Sequence, residues 1–411
     1  MTVTGSPTER GGDTPAAPAP THRDMVARAE ALAPRLVEAQ ADTERRTHYS
    51  RETHEAFADA GFYRILVPRR FGGLEMGVRT FLEVSRTLAR ACPSTGWMYC
   101  LGATHALAVG TLFGERAQAE ILAAGDFVCP ATIVPGGEAR RLPDGGWEIE
   151  GTWRYCSGSP YATHFMGHAL VPGEDGAPPS PLLFVAPRDQ WERLDDWGGQ
   201  LGLRGSGSHG VALRAARVPD HWTLPVHMSE VSAADDLPGR KLHGPHYGGG
   251  PLSFMNLEIA ALSVGMAQGA LDAYEELMRS RVTLLPPIVG RGEDPDYQSW
   301  YGEAVGLIDT AGAAISDAVR QWEDLCEEGP EAFTREQDLR LATMCRQIIL
   351  LSWRAVEGYL FPTAGSSAVR DGERIERVWR DLSTLHGHTG ISVFLPTRAM
   401  RDLARVRFGA A

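Results

Sequence analysis

The hydrophobic pattern of this chain changes period twice, and that order limits the possible folds more than any other feature. From about Arg23 to Gly61, Met25, Ala29, Leu32 and Leu36 recur at spacings of four, three and four, which puts them on one helix face. Gly61 reads as a stop after "HEAFADAG". A second helical block covers roughly residues 79 to 124, with Ser94 or Thr95 expected as an N-cap after Pro93. After Gly125 the texture changes to short apolar or alternating runs: "VCPATIV", "GWEIEGTWRYCSG", "THFMGHALV", "PLLFVAP", "WERLDDW" and "GVALRAARVP". Separated by Gly, Pro and Asp, they read as strands of an antiparallel barrel or sandwich, with a hairpin turn at "PDGG", residues 143 to 146. Helical character returns near Leu252, where Met255, Ile259, Leu262 and Met266 form one stripe, and further helices are expected at about 297–328, 334–361 and 373–386. The expected organisation is an α+β multidomain chain. A disordered leader (1–22) precedes an N-terminal helical domain (23–126), a middle antiparallel β-barrel domain (127–225) and a C-terminal helical domain (226–411).

Composition removes several function classes. A net charge of −12 with no Lys/Arg block argues against a nucleic-acid surface. The six cysteines are scattered with no C-x-x-C, as expected of buried reduced thiols in the cytoplasm. The leader is rich in Pro, Gly, Thr and Ala without an apolar core, so it does not read as a signal peptide. Residues 91 to 114 carry no formal charge and are long enough to span a membrane. Gly96, Gly102, Gly110 and His105 within that run favour a helix buried in protein, and no membrane partner is expected.

Motifs for nicotinamide binding, phosphate loops, zinc proteases and serine hydrolases are missing. Near the C-terminal end stands "STLHGHTG", with His386 and His388 one residue apart. An isolated H-x-H is a weak metal signal, and no metal is expected.

Three stretches carry a resemblance. "GTWRYCSGSPYATHFMGHALV" resembles the middle-domain flavin strand of the acyl-CoA dehydrogenase superfamily, and "LGLRGSGSHGVALRAARVP" resembles its second middle-domain signature. "STGWMYCLGATHALAVGTLFGERAQAEIL" and "VWRDLSTLHGHT" look closer to one branch, the oxygenase components of two-component flavin-dependent monooxygenases, of the 4-hydroxyphenylacetate and steroid-ring phenol hydroxylase type. The resemblance covers roughly residues 25 to 405. It implies an enzyme that takes reduced FMN or FAD from a separate flavin reductase and forms a C4a-hydroperoxide with O2. One oxygen atom then goes to an aromatic or other electron-rich small molecule. A homo-oligomer, tetramer or dimer, is implied as well.

Residue by residue, the resemblance places Tyr155, Ser157 and Gly158 at the flavin, with the Ser157 hydroxyl against N5. One hydroxyl can accept from the N5 proton while donating elsewhere. His105 falls where the oxygenase branch has a histidine facing flavin and substrate, able to take a phenolic proton. Counted from Arg380, His388 stands at that branch's second histidine, with His386 as its bystander. Dehydrogenases place their catalytic glutamate here; this chain has Thr389. Arg204, Gly205 and Ser206 of the second signature and Arg281 of a degraded "R-x-x-F-G" run are implied flavin contacts. So is the small-residue turn Gly365, Ser366 and Ser367. Alternatives are an acyl-thioester dehydrogenase with Glu258 as base, an N-hydroxylating monooxygenase, and a non-catalytic scaffold subunit.

Overall fold

A computed structural model describes residues 19–388, 390 and 395–409. Of the expected leader, residues 1–18 and, near the other end, Thr389 lie outside the described residues. The first helix, α1 (His22–Glu38), opens on a capping box in which the Thr21 hydroxyl accepts from Asp24 N and the Asp24 carboxylate accepts from Thr21 N. Met25, Ala29 and Leu36 of the expected stripe are buried. The short α2 (Gln40–Arg46) and α3 (Arg51–Asp59) follow, and α3 stops just before Gly61, whose φ of +80° only glycine adopts at low cost. Next come α4 (Val78–Ala91), α5 (Pro93–Ala103), α6 (His105–Leu112) and α7 (Glu115–Ile121).

The uncharged run becomes α5 and α6, which are buried on nearly every side, so the lack of charge reflects a protein interior. Neither Ser94 nor Thr95 caps α5. Pro93 occupies its first position, where the missing N–H costs nothing, and Ser94 is free to serve a tertiary contact.

The middle segment forms one seven-stranded sheet in the order β5-β6-β2-β1-β3-β4-β7. Its strands are β1 (Gly137–Arg141), β2 (Trp147–Trp153), β3 (His164–Val171), β4 (Ser180–Pro187), β5 (Glu192–Arg193), β6 (Val211–Val218) and β7 (Thr223–Leu224). The expected hairpin joins β1 to β2, with Arg141 opposite Trp147 and Gly145 at φ +91°. Two expectations differ. The sheet is open, ending on the two-residue β5 and β7, and its β1–β3 pair is parallel; the closed antiparallel barrel does not form. "VCPATIV" contributes a single bridge, Ala131 to Met166, because its backbone is shared between layers: Cys129 N donates to Gly102 O of α5 while Thr132 N donates to Met166 O of β3.

The second helical block contains α8 (Pro238–Leu242), α9 (Pro251–Ser280), α10 (Pro295–Glu328) and α11 (Arg335–Ala355). A π-type turn (Val356–Leu360) carries α11 into the one-turn α12 (Phe361–Thr363), and α13 (Arg374–His386) and α14 (Leu395–Phe408) complete the chain. Helix α9 packs against α4, α10, α11 and α13. It is long and apolar enough to cross a membrane, but 83% of its apolar window is buried inside the protein. One continuous apolar core runs from α1 through the sheet to α13, so the two helical blocks and the sheet are packed as one body.

Candidate active site

The site is assembled where the chain leaving β2 meets α5. Tyr155 has φ +63° and Gly158 φ +97°, and this double reversal turns Ser157 back onto the helix. Gly158 lies so close to Gly102 that an added Cβ would stand 3.0 Å from the Gly102 Cα. Gly158 is therefore needed for the turn to touch the helix. The Ser157 Oγ accepts from Trp97 Nε1 at 3.0 Å and pairs with Ser208 Oγ at 2.7 Å, which pairs in turn with Ser206 Oγ at 2.7 Å. An indole N–H can only donate, so Trp97 fixes one lone pair of Ser157 and leaves its proton to Ser208 or to a ligand. Tyr155 is 64% exposed, its ring edge-on to Trp197.

His105 opens α6, and its Nδ1 lies 2.7 Å from the Cys129 carbonyl. A carbonyl only accepts, so Nδ1 carries the proton and Nε2 is left as an acceptor. Burial pushes this imidazole down to about 4, so it is neutral at physiological pH. Cys129 N holds Gly102 O at 2.6 Å, so Gly102 links the His105 and Ser157 neighbourhoods.

The two C-terminal histidines go different ways. His388 follows the end of α13, with its N–H on Leu385 O and its ring 6.1 Å from the ring of Trp97. It is open to water in the isolated chain, yet the surrounding protein desolvates it and lowers its pKa. His386 instead stacks on Trp353, centroids 4.9 Å apart at 11°. Ser157 and His388 thus meet at Trp97, His105 is tied to the Ser157 turn through Cys129 and Gly102, and His386 lies apart on Trp353.

The Arg-Asp pair of α13 holds this arrangement together. Asp381, buried, accepts from Leu203 N at 2.5 Å and from Ser94 Oγ at 3.1 Å, and Gly205 N donates to the same Ser94 Oγ. Burial raises Asp381 to about 7. Arg380 binds Glu376, Glu44 and the Leu201 carbonyl. Gly202 is pressed onto α13, where an added Cβ would lie 2.1 Å from Arg380 O. The "GLRGS" turn is therefore clamped between α5 and α13.

Arg204 turns back onto its own loop, its Nε on Gln200 O at 2.8 Å, while Gly205 and Ser206 take part in the contacts just described. Arg281, beyond the end of α9, is exposed and its guanidinium makes no hydrogen bond among the described residues. Gly365 (φ +91°) lies against a different arginine, Arg291, which is buried, bonds Ala364 O at 2.8 Å and lies over the Tyr297 ring. Ser366 and Ser367 are exposed. No described contact joins this turn to Ser157 within one chain. Sequence reasoning missed Trp97, Ser208 and Arg291. Trp97 is visible in "STGW" as an aromatic between small residues, whereas nothing local marks Ser208 or Arg291.

Beside His105 lies a cleft lined by Thr104, His105, Met228, Phe254, Glu258 and Trp322, among others. Glu258 is 3% exposed and accepts a hydrogen bond from the Thr104 hydroxyl. Burial lifts its carboxyl to about 8 against this bond, so it is protonated at neutral pH. A folded-state pKa above the unfolded value means that the native state holds the extra proton. Glu258's contribution is then fully present below pH 4.5 and is lost as pH rises through about 8. Glu258→Gln is expected to flatten the fall in thermal midpoint between pH 5 and 8 relative to the unmodified protein, as read by calorimetry across that range.

The family models for the acyl-CoA dehydrogenase N-terminal domain and C-terminal domain match residues 19–123 and 257–393. That fold and this site define a flavoenzyme class. Within it, the chain is 31% identical over 360 residues to the flavin-dependent monooxygenase oxygenase subunit HsaA of Rhodococcus jostii, covering 86% of this chain and 91% of that protein. It is 29% identical over 377 residues to a pigment production hydroxylase of a Rhodococcus species, covering 91% and 94%. Among solved structures, the HsaA monooxygenase from M. tuberculosis superposes with a TM-score of 0.84 at 28% identity, covering 95% and 98%. The chain belongs to the family of oxygenase subunits of flavin-dependent monooxygenases, built on the acyl-CoA dehydrogenase fold.

Proposed function

We propose that this chain, as a cytoplasmic enzyme, hydroxylates an aromatic small molecule as the oxygenase component of a two-component system, using reduced FMN or FAD handed over by a separate flavin reductase. The observation that carries this reading is the Trp97–Ser157–Ser208 hydrogen-bond chain, with His388 beside Trp97 and a neutral His105 linked to the same turn through Cys129 and Gly102. The residues present fit a flavin. Ser157 offers a hydroxyl whose second lone pair and proton are not committed to Trp97, and Tyr155 offers an exposed ring on the same turn. When bound, reduced flavin with O2 supplies the oxygen atom that is transferred.

The chain's own residues do the rest. Ser157 would hold the flavin through its hydroxyl, which can accept from an N–H of the bound ring. His105 Nε2 takes the proton of a phenolic hydroxyl, which raises the electron density of the substrate ring. His388 closes the open side near Trp97, and the apolar walls keep water out. Arg281 and the Gly365–Ser367 turn are surface features in one chain, and in a homo-oligomer, tetramer or dimer, they reach the flavin of a second copy. The exposed Val282, Leu284, Leu285 and Ile288 around Arg281 suit such an interface. Acting as a dehydrogenase base would require Glu258 ionised, and burial holds it protonated.

The test is to mix the protein and reduced flavin with O2 in a stopped-flow instrument, with and without a simple phenol. A persistent absorbance distinct from oxidised flavin, and a hydroxylated product, are expected. Immediate reoxidation yielding peroxide alone, with every phenol tried, would rule the reading out. Ser157→Ala is expected to cut product formed per flavin oxidised by about tenfold, with peroxide making up the difference, because one hydrogen bond to a charged or reacting group is worth roughly 1.5–3 kcal/mol.

A further inference from the structure

The cavity beside His105 holds a second titratable group that the mechanism above does not use. Glu258 projects from α9 into the same space as His105, between α6 on one side and Phe254 and Trp322 on the other. Its Oε1 is occupied by the Thr104 hydroxyl, which has one proton to give and gives it there. The acid proton of a neutral carboxyl is then carried on Oε2, the oxygen that Thr104 does not touch. Among the described residues, the groups facing Glu258 are the Thr104 hydroxyl, the Cys100 thiol and the His105 imidazole, and no lysine or arginine lines the cavity. A carboxylate or phosphate on a ligand would find no counter-charge here, and the remaining wall is largely apolar, formed by Leu107, Ala108, Leu112, Met228, Phe254 and Met255, with Thr111 and Trp322 as its other polar-bearing residues.

We propose that Glu258 is the second anchor of the substrate, donating a hydrogen bond from its carboxyl to an uncharged oxygen acceptor. The cavity then takes a neutral aromatic that carries a hydroxyl for His105 and, elsewhere on the same molecule, a carbonyl or ether-type oxygen for Glu258. Both anchors are complementary in kind, since His105 Nε2 only accepts and the Glu258 acid only has a proton to donate. This orients the ring in one sense, which a single anchor in an apolar cavity would not do. The proposal rests on the monooxygenase reading only for the statement that this cavity is the substrate's; the recognition itself requires no turnover.

It can be tested by calorimetric titration of the flavin-free protein with 4-hydroxyacetophenone, 4-ethylphenol and tyramine. These share a ring and a hydroxyl, and differ in presenting a carbonyl oxygen, nothing polar, or an ammonium at the far end. The unmodified protein is expected to bind the ketone about tenfold tighter than the alkylphenol, as one hydrogen bond to a buried group dictates. Glu258→Leu is expected to bring that ratio to about one while retaining alkylphenol binding. Glu258→Gln, whose amide still donates, is expected to keep a preference of several-fold, and serves if the leucine variant does not fold. His105→Ala is expected to weaken both phenols equally. The proposal is overturned if the unmodified protein shows no preference for the ketone, if the preference survives in Glu258→Leu, or if tyramine binds tightest, which would make Glu258 a carboxylate for amines. Turnover with reduced flavin and O2 is scored separately, so a Glu258-dependent preference without product would sink the monooxygenase reading and leave the anchor standing.

Discussion

Replacing His105 by alanine is expected to lower the rate of phenol hydroxylation by roughly 10²–10⁴-fold, the usual worth of a positioned general base. The Cys129 carbonyl fixes the proton on Nδ1 and leaves Nε2 as the acceptor of an imidazole that lines the cavity. A base must be unprotonated to act. Burial holds His105 down to about 4, so activity should persist on the acid side and fall only as pH drops through that value. In His105→Ala this acid limb should vanish along with most of the rate, while reduced flavin is still consumed and its electrons appear as peroxide. Single-turnover product yield measured from pH 4 to 8 checks both parts. A variant that keeps its rate would show that the substrate proton leaves by another route.

The largest expected effect on stability is that of Asp381→Ala, about 3 kcal/mol or more, read as a drop in the urea midpoint of unfolding. The substitution leaves the Leu203 N–H and the Ser94 hydroxyl without their acceptor in a place water does not reach. Two unmet buried donors each cost on the order of 1–3 kcal/mol. Asp381→Asn, whose amide oxygen can still accept from Leu203 N, should lose much less. The functional consequence is also specific. Asp381 joins α13 to the turn that carries Ser206 and Ser208 and to α5, which carries Trp97. Loosening it should therefore reduce the yield of product per flavin even where the protein remains folded.

The helix–sheet–helix order was legible because each period is a local property of the sequence. Helices α9, α10, α11 and α13 fall within a few residues of the expected bounds, and the "PDGG" turn makes the hairpin expected of it. The sheet was less legible. Strands β5 and β7 have two residues each and β1 is the charged "GEARR", so none of them shows an apolar alternation. The closed barrel was an inference from strand-like texture, and texture says nothing about which strand pairs with which. "VCPATIV" looked like a strand by composition, but its hydrogen bonds are divided between α5 and β3.

By itself the sequence determined the fold's order of elements, and through its resemblance to oxygenase components it singled out Ser157, His105 and His388 over His386. Only the tertiary structure decided what those residues meet. Trp97 and Ser157 are 60 positions apart and Ser94 and Asp381 are 287 apart, and no periodicity or motif spans such separations. The structure also divided the two histidines between Trp97 and Trp353, and it placed Glu258 in the cavity with His105. A protonation state is set by burial and by the atoms across a contact. A carboxyl that stays neutral at neutral pH, and an imidazole that stays neutral even in mild acid, therefore exist only once the helices have packed.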